Sequence, residues 1–422
     1  MTVLIAGGGI AGLALGLTCH QIGVPFKVFE AVREIKPLGV GINLQPTAVR
    51  ELFDLGLEDR LPTIGVKTRD YSMHSKKGLQ VWSEPRGMWA GYNWPQYSVH
   101  RGALHMMMYH ALIERAGQDC VGTGWSVERF ENTANGAALH LKHRDGTTKI
   151  EQGAVAVGAD GIHSTIRQQM QPDQGEPRWA GHVLWRGTTQ AKPFKSGASM
   201  VMIGNTDLRF VSYPISEADP ETGLATINWI SELKLNPDGG FNKEDWSREA
   251  DLDDFLPQLS TLEADWIDIP ALISGAETVY EYPMVDRDPI DSWTDGNVTL
   301  MGDAAHAAYP VGSNGAGSAI IDARQLGAAF LAHGVNANAL QAYEAKMLPP
   351  TSKVVLMNRG SGPDSILGTV EDRCGGVFED IEDVIPKAEL VAHAEKYKAA
   401  AGFGIEATNA APRTIPKGAR VG

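Results

Sequence analysis

Residues 3–6 (Val-Leu-Ile-Ala) are a short apolar run that predicts a buried strand. Residues 10–22 then carry apolar positions at helical spacing, and residues 26–29 (Phe-Lys-Val-Phe) predict a second strand. Residues 3–30 therefore read as a βαβ unit with parallel strands and a right-handed connection. Residues 46–56 and 101–116 predict helices, and residues 154–158 (Ala-Val-Ala-Val-Gly) another buried strand. From about 180 to 285 the pattern changes. Short alternating runs at 183–189, 200–203, 208–213 and 225–230 are separated by Gly, Pro, Asn and Asp, which predicts an antiparallel sheet with one face toward a core. Residues 297–301 (Asn-Val-Thr-Leu-Met) return to the buried-strand pattern, and a helix is expected from about 318. The last fifteen residues, rich in Ala, Pro and Gly, read as a loose tail.

The expected fold class is α/β (α+β). A Rossmann-type dinucleotide domain would be built from residues 1–75, 98–178 and 286–360. An antiparallel-sheet substrate domain, 76–97 and 179–285, is inserted in it, and residues 361–422 form C-terminal helices and the tail. Composition agrees with a large globular chain, 43% hydrophobic and 21% charged. A net charge of −14, with no basic run, argues against nucleic-acid binding. No stretch of 18 apolar residues predicts a membrane span. Three scattered cysteines, Cys19, Cys120 and Cys374, form neither a metal motif nor a disulfide framework, so no metal is expected. With no signal peptide evident, the expected location is cytoplasmic.

Gly7-Gly8-Gly9-Ile10-Ala11-Gly12 is a GxGxxG between a strand and a helix. Gly7 permits the tight turn, Gly9 a close approach to a pyrophosphate, and Gly12 close helix–strand packing, while the helix start offers free N–H groups. Glu30 ends the second strand, where it can accept hydrogen bonds from a ribose diol and repel a 2′-phosphate. This motif leaves FAD and NAD equally open. A second motif begins at Gly302-Asp303-Ala304-Ala305-His306 and continues through Pro310 to Gly312-Ser313-Asn314-Gly315-Ala316-Gly317 before a helix. Asp303 follows a strand and can accept hydroxyl hydrogens of a sugar or ribityl chain. The Gly-rich helix start can stabilise negative charge on a reduced flavin. A third segment runs Gly158-Ala159-Asp160-Gly161-Ile162-His163-Ser164-Thr165-Ile166-Arg167.

Together, in this order, the three segments resemble the FAD-dependent aromatic hydroxylases of the p-hydroxybenzoate hydroxylase type, the group A flavoprotein monooxygenases. Residues 282–289 (Tyr-Pro-Met-Val-Asp-Arg-Asp-Pro) and 309–316 are similar to the phenazine-modifying branch, although Gly317-Ser318 stands where that branch commonly has Ser-Gln. The resemblance implies FAD contacts by Gly7, Gly9, Ala11, Gly12, Glu30, Arg101, Asp160, Asp303, Pro310, Gly315, Ala316 and Gly317, and by the backbone of Gly41, Ile42 and Val127. It implies that NAD(P)H reduces FAD, and that a flavin C4a-hydroperoxide passes one oxygen atom of O2 to an aromatic or heteroaromatic substrate. The family has no second nucleotide fold, so NADH and NADPH leave no separate motif. Other reactions on this fold (epoxidation, Baeyer–Villiger insertion, dehydrogenation) and a non-catalytic flavin sensor stay open.

Alternation along 208–213 places Arg209, Val211 and Tyr213 on one face. Arg209 and Tyr213 are the substrate-facing candidates, Arg209 as an anchor for a carboxylate or as a solvent-facing arginine. Trp185, Tyr213 and Trp229 line an aromatic pocket or the core. His306 reads as structural rather than as a general base.

Overall fold

The structure, a computed structural model, describes residues 1–235, 248–360 and 362–422. Part of the expected sheet domain (236–247) and residue 361, at the expected start of the C-terminal segment, lie outside the described residues.

The first strand, Val3–Ala6, is wholly buried because it lies inside a six-stranded sheet covered on both faces. Its neighbours are Val155–Gly158 and Phe26–Glu30, both parallel to it, with Val3 opposite Val155 and Phe26. Val298–Leu300 and Val121–Thr123 extend the sheet on either side, and Thr294–Asp295 is its antiparallel edge. Helix Ile10–Ile22 starts directly after Gly9 and stops at Gly23, which takes a left-handed conformation and donates its N–H to the last turn. The helix is buried almost all round, packed between the sheet and helices Arg101–Ala116 and Gly315–His333. It therefore has no polar face to display.

A three-stranded antiparallel meander, Trp125–Thr133, Gly136–His143 and Thr148–Gly153, is attached to this domain. The second large sheet has eight strands. Its order is Arg248–Glu249, Tyr280–Asp286, Arg178–Ala191, Ala225–Lys234, Leu208–Pro214, Ser199–Gly204, Asp70–His74 and Gln80–Pro85. The expected boundary at residue 75 thus moves: Asp70–His74 pairs in parallel with Ser199–Gly204 and belongs to this sheet. One face of the sheet carries its own core of Trp185, Phe210, Trp229, Phe255 and Ile273. Trp185 stacks on Phe255 with ring centroids 4.6 Å apart, and its Nε1 donates to Glu281. Trp229 is fully buried beside it and donates to Thr189. Both tryptophans face away from Tyr213, so of the two readings the core holds for Trp185 and Trp229, while Tyr213 faces the cavity. Strand registry dictates this, since Ser212 is opposite Trp229 and Tyr213 opposite Asn228.

The tail is not loose. Ile415 is 2% exposed in the dinucleotide-domain core, Thr414 donates to Glu51, and Val421 N–H donates to the carbonyl of Ile22. Glu51 in turn holds the buried Arg324. Helices Ser365–Cys374 and Lys387–Ala400 pack on the far strands of the eight-stranded sheet through Ile366, Leu367, Val370 and Leu390, which share a small core with Tyr71, Met73 and Val81. Among the described residues no helix is long and apolar enough to cross a membrane.

Candidate active site

The glycine turn separates three jobs by geometry. Gly7 has φ +103°, and a side chain there would run into the carbonyl of Ala159 on the neighbouring strand's exit loop. A Cβ on Gly12 would run into the carbonyl of Gly7. Gly9 is different: its φ of −73° suits any residue, and a Cβ there would meet nothing within 4 Å. The space over Gly9 is open, in line with a ligand's close approach. Glu30 is fixed next to it, accepting from Gly8 N–H at 2.7 Å and Val32 N–H at 2.8 Å. From the far side, His105 Nε2 meets the carbonyl of Gly8 at 2.6 Å.

Asp160 closes the third motif. Its Oδ2 accepts from Thr165 N–H at 2.9 Å, while its buried Oδ1 has no protein partner. Burial raises its pKa. Arg167 ties this segment to the second motif, donating to the carbonyls of Ala304 (2.9 Å), Ala305 (2.7 Å) and Asp288 (2.7 Å). Asp303 is exposed in a turn whose other residues are buried. Gly302 allows this turn: its φ is +59°, and a Cβ would come within 2.9 Å of that of Ala11. Ala11 thus packs against Gly302, directly before Asp303. His306 is buried on Asp322 at 2.6 Å, which gives it a structural partner.

Asp303 and the glycine-rich loop that follows it border a cavity of about 280 Å³. Gly41, Ile42, Asp303, Pro310, Gly315 and Ala316 form one wall, and Leu184, Arg186, Arg209, Val211, Tyr213 and Ile230 the other. Gly41 is clamped from the sheet: its N–H donates to Asn228 Oδ1 at 2.6 Å and its carbonyl accepts from Arg186 at 2.8 Å. Gly317 is buried behind the wall, against Ala48. Arg101 is exposed at the start of its helix, with its N–H bonded to the Val40 carbonyl and no ion pair among the described residues. Val127 lies on the meander opposite Leu141, half-buried against the dinucleotide-domain core and outside the cavity.

Alternation along Leu208–Pro214 does put Arg209, Val211 and Tyr213 on the cavity face. The guanidinium of Arg209 is nonetheless engaged by Glu232 and by Asp364, so its charge is matched within the protein rather than left for a substrate. Tyr213 is buried and bonded to Arg186, and burial pushes its hydroxyl up to about 12. The roof is C-terminal: Pro363, Asp364, Ile366, Leu390, His393 and Tyr397 all line the cavity. Tyr397 accepts from Asn314 at 2.7 Å, at the turn that opens helix Gly315–His333. None of these roof residues carries a motif. Asn228, Ile230 and Glu232 were accessible to reasoning, because they alternate along the strand beside Arg209. Among the described residues no cluster suited to a metal ion occurs.

The profile of a family described as an FAD binding domain matches residues 1–357. The chain belongs to that family. It is 41% identical over 362 residues to the phenazine 1,6-dicarboxylic acid hydroxylase PhzS of Lysobacter antibioticus, spanning 85% of this chain and 89% of that one. It is 30% identical to the 3-amino-4-hydroxybenzoate 2-monooxygenase of Streptomyces cremeus, over 83% of this chain and 84% of that one. Among solved structures, a salicylate hydroxylase in complex with substrate superposes with a TM-score of 0.73 at 21% identity, covering 99% of this chain and 98% of that one. The HpxO protein of Klebsiella pneumoniae with FAD and uric acid gives 0.72 at 23% identity, covering 98% and 97%. The protein is thus an FAD-dependent aromatic monooxygenase with NAD(P)H as co-substrate, and its α/β architecture is that of these hydroxylases.

Proposed function

We propose that the protein inserts one oxygen atom into a planar aromatic or heteroaromatic acid held in this cavity. The observation that carries the reading is the shared cavity: FAD-motif residues form one wall and the inward face of the substrate sheet the other. The residues suit FAD. Open space over Gly9, the fixed carboxylate of Glu30, the exposed Asp303 and the unpartnered Asp160 Oδ1 are what a dinucleotide with ribose and ribityl hydroxyls requires. In this reading Gly7, Gly9, Gly12 and Arg101 hold the pyrophosphate, Glu30 and Val127 the adenosine end, and Asp160 and Asp303 the middle of the cofactor. Gly41, Ile42, Pro310, Gly315 and Ala316 border the flavin ring, with Gly317 behind them at the helix start.

When bound, FAD supplies the reduction by NAD(P)H and the activation of O2, which is the hard chemistry. The chain supplies the rest. Free N–H groups at Gly315 and Ala316 favour negative charge beside them. The apolar side chains of Leu184, Met202, Val211, Ile230 and Met284 accept a flat ring. The roof excludes water. Arg209 shapes this cavity from its paired position and does not bind the substrate's charge.

Two of the relatives named above act, by their names, on aromatic acids, a phenazine dicarboxylic acid and an aminohydroxybenzoate. That favours an acid here too. The three free cysteines, Cys19 buried among them, favour a cytoplasmic setting. The test is oxidation of NADH and NADPH by the FAD-loaded protein with a panel of benzoic, pyridine and phenazine carboxylic acids under labelled O2. Stimulated oxidation with one labelled oxygen in the product is expected. Product lacking the label means dehydrogenation and overturns oxygen insertion. No stimulation across the panel overturns the substrate class.

A further inference from the structure

The cavity's cations and its four carboxylates, Glu84, Glu232, Asp303 and Asp364, are not paired one to one. Four cationic side chains line it: Arg86, Arg186, Arg209 and Lys398. Arg209 is matched by Glu232 and Asp364, and Arg86 and Lys398 both hold Glu84. Arg186 has no carboxylate partner among the described residues. Its bonds go to neutral groups, the Gly41 carbonyl at 2.8 Å and the Tyr213 hydroxyl, and its Nε is buried without a partner. Its other polar neighbours are the neutral hydroxyl of Tyr282 and the cation of Arg101, which opposes its charge. Burial depresses the pKa of its guanidinium. An unmatched charge largely withdrawn from water is costly to maintain unless something else completes it.

We infer that Arg186 is the anion-binding residue of the substrate subsite, receiving a carboxylate of the aromatic substrate. This rests on reading the cavity as the aromatic-substrate site. Arg186 is partly accessible from the cavity, on the strand face it shares with Leu184, and Ile230 stands opposite it in the sheet. An acid group seated on the guanidinium therefore leaves its ring against apolar neighbours. The same arginine grips Gly41, which Asn228 also fixes, so the anion is held in register with the Gly41–Ile42 wall. A planar guanidinium suits a carboxylate because it offers parallel N–H donors. Arg209 cannot take this role without releasing two carboxylates, and Arg86 and Lys398 are already turned toward Glu84.

The experiment compares matched pairs, each aromatic carboxylic acid with its own carboxamide, in binding to the FAD-loaded protein followed by flavin absorbance. The wild type is expected to prefer acids. In Arg186→Gln the acids should weaken by roughly tenfold or more while the amides hold, the scale expected when a charged hydrogen bond is lost. Arg186→Lys should recover part of the preference. FAD content of each variant reports folding directly. Equal loss for acids and amides in Arg186→Gln, or no preference in the wild type, overturns the inference. So does a shifted flavin midpoint potential with the acid preference intact, which would assign the charge to the flavin. Oxygen transfer is read separately. Acid preference lost in Arg186→Gln without any product in the wild type would uphold the anion site and reject the hydroxylase reading of the cavity.

Discussion

Gly7→Ala and Gly9→Ala add the same methyl group to the same turn, yet they should act on different properties. At Gly7 the methyl meets backbone and the φ of +103° is strained for any L-residue, so a loss of ~2 kcal/mol or more of stability is expected, with FAD binding lost as a consequence. At Gly9 the space is open, so the melting temperature of the FAD-free protein should hold within the ~0.5 kcal/mol usual for neutral sites. FAD affinity should still fall about tenfold or more, because the methyl occupies the cofactor's approach. Thermal melts of FAD-free protein and FAD titrations check both. His306 makes a prediction in pH. Burial disfavours its imidazolium, but Asp322, then Asp303, outweigh burial and hold its pKa above the ordinary value. A raised folded pKa gives stability that is full below the unfolded value near ~6.5 and is lost as pH rises through the folded one. His306→Gln should therefore melt furthest below the wild type at acid pH, with the gap narrowing as pH increases. A gap that widens with pH would show that the histidine is held neutral.

The elements that were legible are those whose signal is local. Helices Ile10–Ile22 and Arg101–Ala116 match the apolar spacing at both ends, and the glycine turns mark where cofactor loops must lie. The meander from Trp125 to Gly153 gives little local signal, because its outer strands are mostly exposed or half-exposed and its buried central strand, Gly136–His143, carries only a short run of small apolar residues. The cavity roof was illegible for another reason. His393 and Tyr397 reach the cavity only through the packing of two helices on distant strands, and nothing in their own neighbourhood announces it. For the tail, composition alone points to disorder, whereas the buried side chain of Ile415 and the bonds made by Thr414 and Val421 anchor it. Ile415→Ala should accordingly cost ~2–4 kcal/mol, as for other buried large-to-small changes, rather than the near-zero cost of a free tail. Urea unfolding of the two proteins distinguishes these values.

At the scale of the molecule, the C-terminal segment joins the substrate sheet through charge. Arg209 bridges Glu232 of the sheet and Asp364 of the roof, Lys398 reaches Glu84, and Lys76 reaches Glu371. The first of these is nearly dry, so its attraction is offset by desolvation, and the assembly as a whole contributes less than its geometry suggests. What it does contribute is dependence of each member on the others. Glu232 is pushed up by burial, but Arg209 and His182 outweigh that and hold it below its ordinary value. Arg209→Met would remove the cation, leave Asp364 without a charge partner and leave Glu232 with His182 alone, a loss of ~3–5 kcal/mol by analogy with other broken buried pairs. The sign with pH follows. With the arginine gone, burial of these carboxylates favours their protonated forms, so the penalty is largest at neutral pH and is relieved as pH falls and protons are taken up. The melting gap between wild type and Arg209→Met should therefore shrink between about pH 7 and pH 5. Adding Glu232→Gln and Asp364→Asn to Arg209→Met should recover most of the stability at pH 7, since no unpaired charge remains. If the single variant is as stable as the wild type at neutral pH, the roof is held by its apolar contacts with Tyr71, Met73 and Val81 alone. If the triple variant fails to recover, the arginine's packing rather than its charge is what joins roof to sheet.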